Sequence, residues 1–279
     1  TTLDGAVVIN ESSADVDFRV ESNGNANMLF VDGGFDGVGI GVAPMDEQDG
    51  FTTLRIAGPL SLSVDSAGVG AGVYMGNNVY RDETNDRWEY VLGDEASQLV
   101  QANGAFTFRS AVAGSANGAI TWVNKFQIAL DGAVTMPLQP AFFATPNTNQ
   151  NNIANDNSSV HVLLQTEIFD NNSDFASSTF TAPVTGKYML SYSLCLLDMD
   201  SAADYYIPQI KTSNRDINSL YDPGQLNGDP AYWTFTMSVL ADMDANDTST
   251  VRVIQNGGTA QTDVEASSLR TYFSGYLVA

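Results

Sequence analysis

The sequence predicts an all-β protein, on three observations. No stretch sustains apolar residues at the three- and four-residue spacing of an amphipathic helix. Short segments instead alternate apolar and polar residues, the period of a strand with one buried face. Between them sit Asn-Gly and Asp-Gly pairs, which accept the positive φ that tight hairpin turns require.

In chain order, Asp15 to Glu21 alternates strictly and places Val16, Phe18 and Val20 on one face, and Ser22-Asn23-Gly24-Asn25 follows as a turn. Phe30 to Pro44 reads as a strand, a turn at Asp32-Gly33-Gly34, a second short strand and a proline stop. Ala105 to Phe108 and Phe126 to Leu130 alternate again, behind Asn103-Gly104 and ahead of Asp131-Gly132. Gln127 to Pro137 echoes the Phe30 to Pro44 pattern, as a modular shaft would. Residues 1–137 hold most of the 24 glycines, in small-residue patches such as Asp65 to Gly72 and Ser110 to Gly118. Strands of this kind bury little against one another in one chain, while ordering each backbone residue costs about 1–2 kcal/mol. Three copies packed together would supply the missing partners.

From Leu138 the strands become longer and more aromatic. The segments are Ala141–Ala144, Val160–Leu164, Lys187–Leu196, Tyr205–Ile210, Trp233–Leu240, Thr250–Ile254 and Thr271–Val278. Their number and turn spacing predict a two-sheet sandwich or jelly roll over residues 138–279.

A length of 279 residues accommodates two domains of the usual ~100–200 residues. The chain carries 33 Asp+Glu against 11 Lys+Arg, a formal net charge of −22. That field repels phosphate backbones and anionic membranes alike. Apolar runs fall short of the ~18–20 residues that span a bilayer, so membrane insertion by a helix is not expected. A single cysteine, Cys195, and a single histidine, His161, exclude an internal disulfide and the usual zinc sets. The opening TTLDGAVVINESS has no initiator Met, basic region or apolar core, so the chain is expected to begin after a cleavage or within a longer protein.

Two resemblances sharpen this reading. Pro140-Ala141-Phe142-Phe143-Ala144, Phe180 to Tyr188, Leu190-Ser191-Tyr192 and the closing Thr271 to Val278 resemble the globular head of complement subcomponent q and its tumour-necrosis-factor relatives. The resemblance covers residues 140–279. It implies a ten-stranded jelly roll that forms a homotrimer and binds ligands on its loops or flanks. The string from Asn10 to Asp32, with Val38-Gly39-Ile40-Gly41, resembles tail- or head-fibre proteins of marine bacteriophages, and implies a virion appendage.

Catalysis is poorly supported. His161 stands alone in an alternating strand, Cys195 lies in the apolar Leu194 to Leu197, and no Gly-x-Ser-x-Gly elbow, phosphate loop or dinucleotide fingerprint occurs. Asp198, Asp200 and Asp204 cluster in one loop, and Asp242, Asp244 and Asp247 in another. Either set would serve a glycosidase only with two carboxyls ~5–9.5 Å apart across a groove. The spacing of Asp242, Asp244 and Asn246 also suits a hard cation, and Ca2+ is the one cofactor the sequence suggests. It departs from the EF-hand, with Asp247 where Gly is needed and Val253 where Glu is needed, and it reads equally as a polar turn. Four glycosylation sequons, at Asn10, Asn157, Asn171 and Asn246, are what an Asn-rich chain contains by chance.

The aromatic stripe Tyr188, Tyr192, Phe235, Phe273 and Tyr276 reads as packing. Alternation sets Phe273, Gly275 and Leu277 on one face of the last strand and Tyr272, Ser274 and Tyr276 on the other. The family resemblance places this strand near a threefold axis, with Phe273 assigned to the axis and Tyr188 and Tyr192 to the trimer interface. Tyr221, Tyr232, Trp233, Asp198, Asp200 and Asp204 are the candidate ligand contacts. The combined expectation is a non-enzymatic homotrimeric phage fibre on the virion: a Gly-rich β shaft or neck (1–137) and a jelly-roll knob (138–279). Its N-terminal end would meet other virion proteins, and its knob would hold a host surface glycan or protein through multivalency. A purely structural decoration or connector, a bacterial surface adhesin and a glycan depolymerase are the other readings.

Overall fold

The computed structural model describes residues 9, 12, 14–65, 68 and 71–279. Asn10, Glu11 and Ser13 of the fibre-like string, and Ser66, Ala67, Val69 and Gly70 of the first small-residue patch, lie outside the described residues. The described residues are β-strands and turns apart from one short 3-10 turn at Pro223–Gln225. The chain divides into two units, Thr1–Pro137 and Leu138–Ala279.

The first unit holds β1 (Phe18–Val20), β2 (Leu29–Asp32), β3 (Gly37–Ile40), β4 (Phe51–Ile56), β5 (Leu60–Asp65), β6 (Val73–Asn77), β7 (Val79–Asp82), β8 (Arg87–Tyr90), β9 (Ala96–Ala102), β10 (Ala105–Ala111), β11 (Val123–Ile128) and β12 (Val134–Thr135). Ten of these form one sheet in the order β1-β2-β3-β4-β5-β6-β9-β10-β11-β12, and β7 pairs β8 as a separate hairpin. Every pair in the large sheet is antiparallel except β3–β4. The two echoed segments are both antiparallel hairpins, β2–β3 and β11–β12. Asn103 (φ 51°) and Gly104 (φ 74°) join β9 to β10, a two-residue turn of the kind an Asn-Gly pair specifies. Gly39 is obligatory for another reason: a Cβ there would lie 1.9 Å from the Val42 carbonyl oxygen. The strand expected over Asp15 to Glu21 shortens to Phe18–Val20, because its one partner, β2, ends at Asp32 where the Gly33-Gly34 turn begins.

Register gives this sheet two unlike faces. One residue from each of nine strands lines up across it: Phe18 opposes Val31, Val31 opposes Val38, and Val38 opposes Leu54. Leu54 opposes Leu62, Leu62 opposes Met75, and the row continues through Leu99 and Phe108 to Phe126. On the opposite face Thr53, Arg55, Ser61, Ser63 and Gln98 are all buried. The Arg55 guanidinium there donates to Glu47 at 2.8 Å and to the Gly58 carbonyl at 2.8 Å. Asn78, in a left-handed conformation (φ 60°), pins the start of β7. Its amide nitrogen donates to the carbonyls of Leu92, Asp94 and Glu95, and its oxygen accepts from the Leu92 amide.

The second unit holds β13 (Ala141–Thr145), β14 (Val160–His161), β15 (Thr166–Asp170), β16 (Phe175–Ala176), β17 (Thr179–Thr181), β18 (Gly186–Leu197), β19 (Ala203–Thr212), β20 (Asp216–Asn218), β21 (Tyr232–Met243), β22 (Thr248–Gly257), β23 (Asp263–Val264) and β24 (Tyr272–Leu277). Two sheets form, β15-β13-β24-β18-β21 and β16-β17-β22-β19-β20, with β23 attached to β18 and β14 to β22. The chain crosses from sheet to sheet at β13–β14, β14–β15, β15–β16, β17–β18, β18–β19, β20–β21, β21–β22 and β22–β23. Apart from the β16–β17 and β19–β20 hairpins, sheet neighbours are therefore not consecutive in the chain, and this strand order is that of a jelly roll.

Alternation decides what fills the space between the sheets. On β18, Tyr188, Leu190, Tyr192, Leu194 and Leu196 all point inward and are no more than 1% exposed. Phe142 sits at the centre, with ring centroids of Phe180 at 4.7 Å and Phe175 and Phe273 at 5.0 Å. Gly275 leaves room for this cluster, since a Cβ would come within 2.8 Å of both Leu190 and Phe142. The strand expected over Val160–Leu164 stops at His161. The Val162 amide still donates to the Val251 carbonyl at 3.0 Å; beyond it side chains replace the ladder, the Leu163 amide donating to Gln150 and the Leu164 amide to Ser178.

Candidate functional site

The outward face of the β15-β13-β24-β18-β21 sheet is the first candidate. Cross-strand register lays Ala141, Tyr276, Met189 and Leu240 in one row. Phe169, Phe143, Ser274, Ser191 and Ser238 form the next, and Tyr272, Ser193 and Thr236 a third. None of these side chains is charged. Tyr276 and Leu240 are each 51% exposed, Phe169 stacks on Phe143 at 6.2 Å, and Phe143 stacks on Tyr272 at 5.0 Å. Ser191 and Ser238 share a hydrogen bond of 2.5 Å across β18 and β21. Low serines between aromatic rows let a second sheet approach closely.

Alternation on β24 follows the sequence, but its direction is the reverse of the expected one. Phe273, assigned to a trimer axis, is 0% exposed inside the sandwich of one chain, and so are Tyr188 (0%) and Tyr192 (1%). A side chain already enclosed by its own sheets has no surface to offer another copy. The outward residues are Tyr272, Ser274 and Tyr276. Tyr188 donates to the Val184 carbonyl at 2.7 Å, which anchors the segment before β18.

The candidate ligand contacts separate into two groups. Asp200 is 1% exposed and closes its own loop: its carboxylate accepts from the amides of Ala202 (2.8 Å), Ala260 (2.7 Å) and Thr259. Burial pushes its pKa up, but those amides outweigh it and hold the carboxyl below the usual range. The Tyr221 and Trp233 rings meet at a 38° tilt, 5.1 Å apart, and pack against the core with Phe235. These three residues support the fold and are not free loop contacts. Tyr232 remains at the surface, 62% exposed, with the Arg270 guanidinium 5.7 Å from its ring centre and Glu265 bonded to that guanidinium. Asp198 and Asp204 are exposed, and Asp204 accepts from Asn256 at 3.0 Å. Sequence reasoning missed Arg270, whose only local signal is the carboxylate five residues before it.

In the other acidic loop, Asp242 pairs with Arg215 at 2.7 Å. Asp247 turns back to accept from the Asp244 amide (2.8 Å) and Asn214 (2.9 Å), closing a turn with Asn246 at φ 74°. Asp242, Asp244 and Asp247 therefore do not converge on one point. Among the described residues, no group of three or more His, Cys, Asp and Glu side chains could hold a metal ion. The geometry is the polar turn, with the carboxylates spent on backbone and arginine.

The two nucleophile candidates are chemically quiet. His161 Nε2 lies 2.9 Å from the Ser178 carbonyl. Burial lowers its pKa, the Ser178 carbonyl opposes this, and Arg252 adds to the lowering. Cys195 is fully buried and its thiol is pushed up by desolvation, which keeps it protonated. Among the described residues no helix is long and apolar enough to cross a membrane.

Comparison with known proteins returns structures alone. No family model matches the chain. No curated protein matches it. A solved structure described as the globular domain of zebrafish complement 1qA protein is 14% identical, with a TM-score of 0.37, covering 50% of this chain and 98% of that one. A crystal structure of murine APRIL at pH 8.0 is 12% identical, with a TM-score of 0.36, covering 50% of this chain and 99% of that one.

Proposed function

We propose that this chain is a non-enzymatic, homotrimeric fibre protein of a bacteriophage particle, whose residues 138–279 form a knob that attaches to a host surface. The observation that carries the reading is the outward face of the β15-β13-β24-β18-β21 sheet. It joins exposed Tyr276 and Leu240 to an uncharged serine ladder, on a chain whose remaining surface is strongly acidic. Copies carrying −22 each meet with least repulsion over these three rows, which hold no carboxylate; the exposed Asp242, opposite Lys187, stands at the end of the face. Trimerisation through this face leaves the edge with Tyr232, Arg270 and Asp198 displayed three times, and three weak contacts on one body raise avidity. The N-terminal unit then serves as the shaft or neck joined to the particle, and no ion is required at the Asp242 loop.

A purely structural connector is the second reading. It is favoured by Asp200, Tyr221 and Trp233, which are used up in the fold and leave few groups to recognise a ligand. Sedimentation tests the assembly: the wild type is expected as three chains, and Tyr276→Arg as a folded solitary chain. A wild-type chain that is folded and solitary at working concentration overturns the fibre reading. Binding of the fluorescently labelled trimer to a panel of intact marine bacteria separates attachment from the connector role, which predicts no binding to any of them.

A further inference from the structure

In the first unit the covered side of the large sheet is the polar one. Arg55, Ser61 and Ser63 are at most 1% exposed, whereas Leu62, Met75 and Phe108 on the other side are 40%, 53% and 46% exposed. The latter three belong to the apolar row that crosses nine strands. Val31 (39%) extends the exposed surface toward β1, and Leu60 (42%) and Val64 (41%) widen it on β5. Val20 (43%), Val73 (36%), Phe106 (43%) and Val134 (58%) share this face, so exposed apolar side chains reach from β1 to β12. A contiguous apolar patch of that extent marks an interaction surface.

We propose that this face is a second self-association surface: in the assembled homotrimer the first-unit sheets of three copies turn this face toward their common axis and bury the row against one another. The inference rests on the homotrimer proposed above and extends it to residues 1–137. Three considerations select a copy of this chain as the occupant. The exposed apolar side chains span the sheet from β1 to β12, the kind of continuous surface that a protein partner covers. The row carries no carboxylate, so it is a place where copies of charge −22 approach at little electrostatic cost, while an anionic lipid surface is repelled by the rest of the chain. Joining copies through the second unit holds their first units at high effective concentration, so a modest apolar contact suffices to close. Leucine, methionine and phenylalanine side chains from facing sheets interdigitate at the ~10 Å spacing of packed sheets.

Thiol mapping on the full chain tests this. The native Cys195 is 0% exposed and silent toward a water-soluble maleimide. Met75→Cys places a thiol in the row, and Val112→Cys, at an 83% exposed loop position, is the control. In samples that sediment as trimers, the row thiol is expected to react at least about tenfold more slowly than the loop thiol, and to recover the loop rate when the trimer is dissociated. Equal rates in an intact trimer overturn this proposal and leave the second-unit association standing. A row thiol protected in a solitary chain also overturns it, because the cover would then come from the chain itself. A solitary wild-type chain with a reactive row removes both proposals.

Discussion

On β18 of the second unit every second residue from Tyr188 to Leu196 turns inward and is enclosed by the same chain, while on β5 of the first unit Leu60, Leu62 and Val64 turn outward and stay in water. Both strands obey one alternation, and the side that is buried depends on what the chain supplies to cover it. The second unit supplies a whole opposing sheet. The first supplies a short hairpin and an Arg55–Glu47 pair, which cover the polar side and leave the apolar side in water.

The largest test of this contrast is Phe273→Ala. Its ring fills the centre of a closed core, so the change is expected to cost about 3–5 kcal/mol. Urea titration followed by far-UV circular dichroism should show the second-unit transition moving sharply down while chains that remain folded still associate. Dissociation into stable folded monomers would return Phe273 to the interface.

Asp200→Ala follows, at about 2–3 kcal/mol, since it strands three amides that now meet a carboxylate. The same residue has a pH signature. Its folded pKa is depressed, so its contribution is full above the ordinary value of 3.8 and is lost as pH falls through the lowered folded value. Melting temperatures measured from pH 5 downward should therefore fall more steeply in the wild type than in Asp200→Asn.

The smallest effect is expected in the first unit. Asn78→Ala removes four hydrogen bonds that tie β7 to the loop before β9, and should cost about 1–2 kcal/mol in the first transition without moving the second. If both transitions shift together, the two units fold as one and the comparison above loses its basis.

Much of the fold was legible in the residues. Strand identity followed from alternation in Lys187–Leu196, Trp233–Leu240 and Thr271–Val278, and the Asn103-Gly104 turn from its chemistry. The short strands Thr166–Asp170 and Asp216–Asn218 were not legible: the partner of the first, Ala141–Thr145, lies beyond an intervening strand, and the second is three residues long, too short to show an alternation. The site was less legible. Asp200 and Asp198 look alike in the loop string, yet one is enclosed by amides from residues 259 and 260 and the other faces water. Asp242 and Asp247 have cation-like spacing, but Arg215 and Asn214 from another hairpin claim them.

The sequence by itself determined the all-β class, the alternation of each long strand and the strong net negative charge. Those depend on local residue type and on summed charge, which need no fold to be counted. Only the tertiary structure decided which side of each strand faces inward, because a period of two leaves the two faces equivalent until a second layer covers one of them.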